Sequence, residues 1–232
     1  MSKRNRILLI IAAILLAGAG VYGYLKIRAL KAPVRDALEA IPNSAFCVIS
    51  TNDVRGTWTK LNQGNLIWDA LHETEWAAAV SEKTSLVDSL LNTDKEVAAF
   101  FDGRQSWLSL HFTGNEDFDY LIAASLPSSE DMSDFFLFVK THTGKQVKSE
   151  TRWKNSPVLE VGKQHEGGFC VGMVKGIILI SGNRELLKSS IDQLEKGPTL
   201  KNDKGFMAVR QTAGEKAAAN VYVNYSRMLV GL

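Results

Sequence analysis

Two cysteines and five prolines in 232 residues are few. So low a cysteine count excludes a small disulfide-stapled scaffold. Five Pro with eighteen Gly leave no room for a long low-complexity tract. Acidic residues are missing from residues 1–35, where seven basic ones stand: Lys3, Arg4, Arg6, Lys26, Arg28, Lys31 and Arg35. Of the 27 Lys and Arg, 20 are left for the rest of the chain against 25 Asp and Glu, a net of −5. The basic character belongs to the N-terminal stretch, and the main part is mildly acidic. That argues against nucleic acid as a partner, because phosphate binding needs clustered Lys and Arg. The remaining composition, 45% apolar and 22% charged, is globular and excludes wholesale disorder and fibrous repeats.

Catalytic and metal-binding motifs are missing as well. His72-Glu73 and His165-Glu166 invite a metalloprotease comparison, but Trp76 and Phe169 stand where the second histidine of HExxH must lie. His111 and His142 occur singly, and all four histidines are expected to be solvated or singly hydrogen-bonded. Asn115-Glu116-Asp117-Phe118-Asp119 alternates oxygen ligands but has Tyr120 and Leu126 where a calcium loop needs Gly and Glu, so an acidic turn is expected. Thr143-Gly144-Lys145-Gln146 lacks the earlier Gly and the following Ser or Thr of a phosphate loop. Neither a G-x-S-x-G elbow nor a G-x-G-x-x-G fingerprint occurs. The expectation is a chain that is no enzyme and carries no cofactor.

What is present begins with the nineteen uncharged residues Ile7 to Leu25. As a helix they span about 28 Å, close to the hydrocarbon thickness of a bilayer. Tyr22 and Tyr24 fall at the outer end, where aromatic rings suit the interface, and Lys26 and Arg28 stop the run. A cleaved signal peptide with Ala17-Gly18-Ala19 as its site is the competing reading. The run is too long for an ordinary signal core and continues past that site, which favours an uncleaved anchor. No Cys follows it, which excludes a lipoprotein anchor. The short charged tail 1–6 places the N-terminus in the cytoplasm and residues 26–232 outside it.

Beyond the anchor, residues 26–42 read as a linker or short helix, and 43–218 as an α+β domain. Strands are predicted over Phe46–Ser50, Val97–Phe101, Gln105–Phe112, Tyr120–Leu126, Pro157–Val161, Gly168–Val174, Gly176–Ser181 and Asn220–Tyr225. Asp102-Gly103 is predicted to turn a hairpin. Helices are predicted from Asp53 to Leu61, Trp68 to Val80, Glu82 to Leu91, and about Asp203 to Glu215. Two more follow Pro127, with Ser128 and Asp131 in capping-box spacing, and Asn183. The buried stripes are Met132, Phe135, Phe136 and Val139 in one, and Leu186, Leu187, Ile191 and Leu194 in the other. Short turns between strands require a mainly antiparallel sheet. Helices are expected on one of its faces.

Cys47 and Cys170 sit in apolar strands and are expected as buried thiols unless those strands are neighbours. Trp58, Trp68 and Trp76 could line a ligand groove or simply pack on the sheet. Packing is the more economical expectation.

The anchor, the segment Ile41-Pro-Asn-Ser-Ala-Phe-Cys-Val-Ile-Ser50 and the unit Lys175-Gly-Ile-Ile-Leu-Ile-Ser-Gly-Asn-Arg-Glu-Leu-Leu-Lys-Ser-Ser-Ile-Asp192 together resemble membrane-anchored bacterial envelope proteins of domain of unknown function 3352. The resemblance implies an extracytoplasmic α+β domain on the bacterial inner membrane, and no activity. Residues 45–54 also resemble 219–228, a strand followed by polar residues and a helix start. Residues 219–232 are therefore expected to begin a second unit that continues past Leu232. The function expected is an envelope binding or scaffolding module held in the lipid bilayer through residues 7–25, with an envelope protein as partner. The alternatives are a non-catalytic part of a larger envelope enzyme, or a protein handling lipids or other hydrophobic ligands.

Overall fold

The computed structural model describes residues 35–57, 91–114, 117–127, 132–143, 147–162, 168–214 and 217–228, with isolated positions at 23, 82, 83 and 89. Among them no helix is long and apolar enough to cross a membrane. The run 7–25 lies outside the described residues apart from Gly23, which is helical. The helix predicted over Trp68–Val80 lies outside them as well.

Among the described residues eight strands form one sheet: β1 Cys47–Thr51, β2 Ser106–Phe112, β3 Phe118–Ser125, β4 Val147–Trp153, β5 Ser156–Val161, β6 Phe169–Val174, β7 Ile177–Ser181 and β8 Ala219–Val223. Their order is β4-β5-β6-β7-β3-β2-β1-β8, and every pairing is antiparallel. The fold is thus the α+β class with an antiparallel sheet. Lys175 and Gly176, at φ 50 and 78, turn β6 into β7 in the left-handed conformation that a two-residue hairpin requires.

Helices cover both faces of the sheet, which corrects the expectation of one. On the first face lie α3 Arg184–Lys196, α4 Lys204–Gln211 and the 3-10 turns Ala37–Ala40 and Leu200–Asn202. On the second lie α1 Lys95–Phe101 and α2 Met132–Thr143. The reason is legible in β6 and β7, which are buried at every position. Cys170, Val174, Ile177 and Leu179 face α3, while Val171, Met173, Ile178 and Ile180 face α1 and α2. A strand apolar on both sides needs a cover on both sides.

Residues 97–101, predicted as a strand, are helix α1. The Asp94 carboxylate accepts from the amides of Glu96 and Val97, a side-chain cap that starts a helix. Val97 and Phe101, four apart, then share its buried face. Phe100 stacks on Phe138 of α2, with ring centroids 4.8 Å apart. Asp102-Gly103 ends this helix, Gly103 taking φ 69, so the dipeptide caps and turns no hairpin. Strand β4 was not expected at all. The stretch read as a linker or short helix forms the 3-10 helix Ala37–Ala40 and contributes Ala37, Leu38, Ala40 and Ile41 to the core, all at 0% exposure. Ser190 Oγ donates to Ala40 O at 2.6 Å and fastens it to α3.

The α3 expectations hold residue by residue. Asn183 Oδ1 caps the amides of Glu185 and Leu186, and Leu186, Leu187, Ile191 and Leu194 are buried. In α2, Phe135, Phe136 and Val139 are buried. Met132's side chain and the proposed cap at 128–131 lie outside the described residues.

Candidate docking edge and its groove

An antiparallel sheet has two edges, and here they are built differently. The β4 edge alternates Val147, Ser149, Thr151 and Trp153 with the exposed charges Lys148, Glu150 and Arg152. Its register slips between Val147 and Ser149. Charge and irregularity are the usual protections of an open edge. Glu150 is further tied to Lys140 of α2 at 2.7 Å. The β8 edge, Ala-Asn-Val-Tyr-Val, has no charge and an unbroken register with β1.

Apolar side chains gather around β8. Val221 is 60% exposed, Val223 42%, Val209 of α4 56% and Tyr225 72%. Beside the strand, on the α4 face, lies a groove of about 390 Å³ lined by Val48, Leu200, Phe206, Val209, Tyr222 and Tyr225 with several polar neighbours. Tyr222, in its wall, belongs to an aromatic cluster, with its ring centroid 5.1 Å from the tilted ring of Phe206 and 6.3 Å from the buried Trp107, on which it stacks. The segment after β8 turns once as helix, Tyr225–Met228, with the Arg227 amide donating to Asn224 Oδ1. β1 likewise runs into a helical turn, where the Gly56 amide donates to Asp53 Oδ1. The two similar segments therefore lie side by side, Val48 opposite Tyr222.

A second recess of about 340 Å³ opens at the start of α3, between Lys148, Glu160, Cys170 and Arg184. Its charges are largely spent on one another. Arg184 Nη1 lies 2.8 Å from Glu160 Oε1, and Nη2 donates to Thr151 Oγ1 at 3.2 Å. Burial pushes the Cys170 thiol up to about 11, which keeps it protonated and unreactive. A third gap, among Phe100, Phe135 and Phe138, holds only about 60 Å³, far below the roughly 300 Å³ of a ligand pocket.

His111 departs from the expectation of a solvated or singly bonded histidine. It is 1% exposed, and its two ring nitrogens lie 2.9 Å from Ser44 Oγ and 2.9 Å from Ser109 Oγ. Burial lowers its pKa to about 4. Both nitrogens are occupied by hydroxyls and the ring is closed to solvent, so this serine–histidine pair clamps β2 to the turn before β1. Asp119 stands opposite His111 on β3, and its carboxylate accepts from the Tyr120 amide. His142 is singly hydrogen-bonded, as expected: its Nδ1 lies 2.5 Å from Asp94 Oδ2, with Glu96 Oε2 3.3 Å from Nε2. His72 and His165 lie outside the described residues. In the acidic turn, Asp117 pairs with Lys83 at 2.9 Å.

Trp58, Trp68 and Trp76, the groove expected from sequence, lie outside the described residues. Trp107 is core, and Trp153 Nε1 donates to Asp192 of α3 at 2.8 Å. Cys47 and Cys170 are free thiols on strands separated by β2, β3 and β7, so they are not paired. The β8 edge was missed because an edge exists only once strand order is known.

Over residues 8–231 the sequence matches the family described as protein of unknown function (DUF3352). The chain belongs to that family. No curated protein and no solved structure matches it. For this DUF3352 member, function has to be argued from the edge, the groove and the N-terminal sequence.

Proposed function

We propose that this DUF3352 protein is a single-pass membrane-anchored protein of the bacterial envelope whose outer domain binds or scaffolds another protein through the β8 edge. The uncharged, apolar, regular edge carries the reading, because natural sheets protect an edge that is meant to stay free. The β4 edge of the same sheet has that protection. An incoming strand would gain main-chain hydrogen bonds from β8, and the Tyr222–Tyr225 groove would select its side chains. The anchor reading rests on the uncharged run 7–25 between basic flanks. Under it, residues 1–6 face the cytoplasm and the α+β domain faces the periplasm. The chain is read as a binding module and no enzyme.

Two measurements test this. The full chain should stay with membranes through alkaline washing, whereas a soluble mature protein beginning at Gly20 would replace the anchor with a cleaved signal. A photo-crosslinker placed at Val221 in intact cells should capture protein, and one placed at Glu150 should not. Equal capture at both edges would remove the role assigned to β8.

A further inference from the structure

The edge of β8, unpaired among the described residues, also indicates its occupant, an inference that rests on the binding role proposed above. The Asn224 amide donates to Phe46 O at 2.8 Å, toward β1. Along a strand the N–H and C=O of successive residues point to alternate sides. Tyr222 and Asn220, opposite Val48 and Ser50, therefore direct theirs at β1. Ala219, Val221 and Val223 direct theirs outward. These three outward residues are evenly spaced about Val221.

A two-fold axis through Val221 brings such a strand onto itself in antiparallel register. Val221 meets Val221, Ala219 meets Val223, and Asn220 meets Tyr222. Each outward-facing pair exchanges both hydrogen bonds. No charged side chain lies in Ala219–Val223, so no like charges meet. The exposed Val221 and Val223 then pack on their counterparts on one face, and Tyr222 against Asn220 on the other. The β4 edge cannot do this. A two-fold through its centre would set Glu150 against Glu150 and Lys148 against Arg152. The likeness of 45–54 to 219–228 points the same way: β1 is paired on both sides, by β2 and β8, whereas β8 has β1 alone among the described residues.

We propose that β8 pairs with β8 of a second copy of this chain, antiparallel about Val221, joining two eight-stranded sheets into one. Anchoring both copies in one bilayer raises their effective concentration and favours the pairing.

The test uses the full chain in detergent micelles, with mass read by sedimentation across a dilution series. The wild type should dimerise. Val221→Lys and Val221→Glu should each weaken dimerisation at least tenfold, because each sets like charges together at the axis. Mixing the two variants should restore a heterodimer. Glu150→Lys on the other edge should change nothing. Circular dichroism checks that each variant keeps its fold. Independently of those charges, Val221→Cys should crosslink to itself under mild oxidation, since directly opposed residues in a hydrogen-bonded pair lie about 5.5 Å apart. Glu150→Cys should not. A wild type that stays monomeric, or a dimer indifferent to both Val221 charges and to their mixing, overturns the second-copy inference. If Val221 nevertheless captures a different envelope protein in cells, the binding role survives that failure. If it captures nothing, both fall.

Discussion

The middle of the sheet and its β8 end invite comparison. In β6 and β7 every residue is buried, and α3 presses Leu187 and Ile191, both at 0% exposure, onto that part of the sheet. At the β8 end β1 has one buried position, Val48, and β8 has none. The middle is core on both faces; the β8 end presents apolar surface that is only half used. Burying a large aliphatic side chain contributes about 1.5–3 kcal/mol, so stability should be concentrated in the β6–β7–α3 centre. The β1–β8 end is then free to serve recognition, since low local stability is characteristic of binding elements.

The largest effect expected from this contrast is at α3. Ile191→Ala removes a fully buried side chain between helix and sheet and should cost about 2–5 kcal/mol in denaturant unfolding. A cost below about 1 kcal/mol would show that the α3 region is not the stabilising one.

Next comes His111 on β2, which lies between the two regions. Burial holds its imidazole neutral, with a pKa of about 4 against 6.5 for the ordinary group. Between those values the unfolded chain binds a proton that the folded chain refuses. Stability should therefore fall as pH drops from about 6.5 to 4, by about 3 kcal/mol. His111→Gln should lose most of that slope. Asp119 across the strand pair, whose carboxyl burial pushes up, acts in the opposite sense at carboxylate pH. The wild-type and variant curves must therefore be compared as a difference. Parallel curves would mean that His111 takes up its proton as readily in the fold as in the unfolded chain.

Asn183→Ala should cost less again, about 1 kcal/mol, because it removes the carbonyl that caps two amides of α3. Asn183→Ser should retain most of the stability, since its hydroxyl oxygen also caps, whereas Asn183→Asp would set a second carboxylate against Asp119, which the Asn183 side chain hydrogen-bonds. Equal losses in the Ala and Ser variants would assign the effect to packing and not to capping.

How much of this was legible in the chain depended on how local the determinant was. The α3 helix was readable because cap, stripe and stop all lie within Asn183–Gly197. The α1 helix was not, because a five-residue apolar run fits a strand equally well. Distant partners decide it, notably Phe138 and His142 of α2. The β4 strand alternates with period two, but two of its inward residues are Ser149 and Thr151, so no apolar pattern marked it. Helices on both faces were foreshadowed by the unbroken apolar runs of β6 and β7. The candidate site was the least legible. The pairing of β8 with β1 joins residues near 48 to residues near 222, and only that pairing makes β8 an edge. The likeness of 45–54 to 219–228 was visible in the sequence, but not that the two segments would be neighbours.

The smallest expected effect is the one that best sharpens the contrast. Val221 is large and apolar, yet 60% exposed, and its backbone donor points away from β1. Val221→Thr keeps the β-branched shape that a strand favours and buries no new polar group. In the monomer it should change unfolding stability by no more than about 0.5 kcal/mol, as surface substitutions usually do. The chemically identical change at Val171 of β6, which is 1% exposed, sets a hydroxyl in the core. If it finds no partner there, it should cost about 1–3 kcal/mol. One substitution made at two β positions thus measures the difference between the centre and the β8 end directly. If Val221→Thr proved as costly as Val171→Thr in a monomeric sample, the β8 end would be core, and the assignment of its edge to recognition would lose its basis.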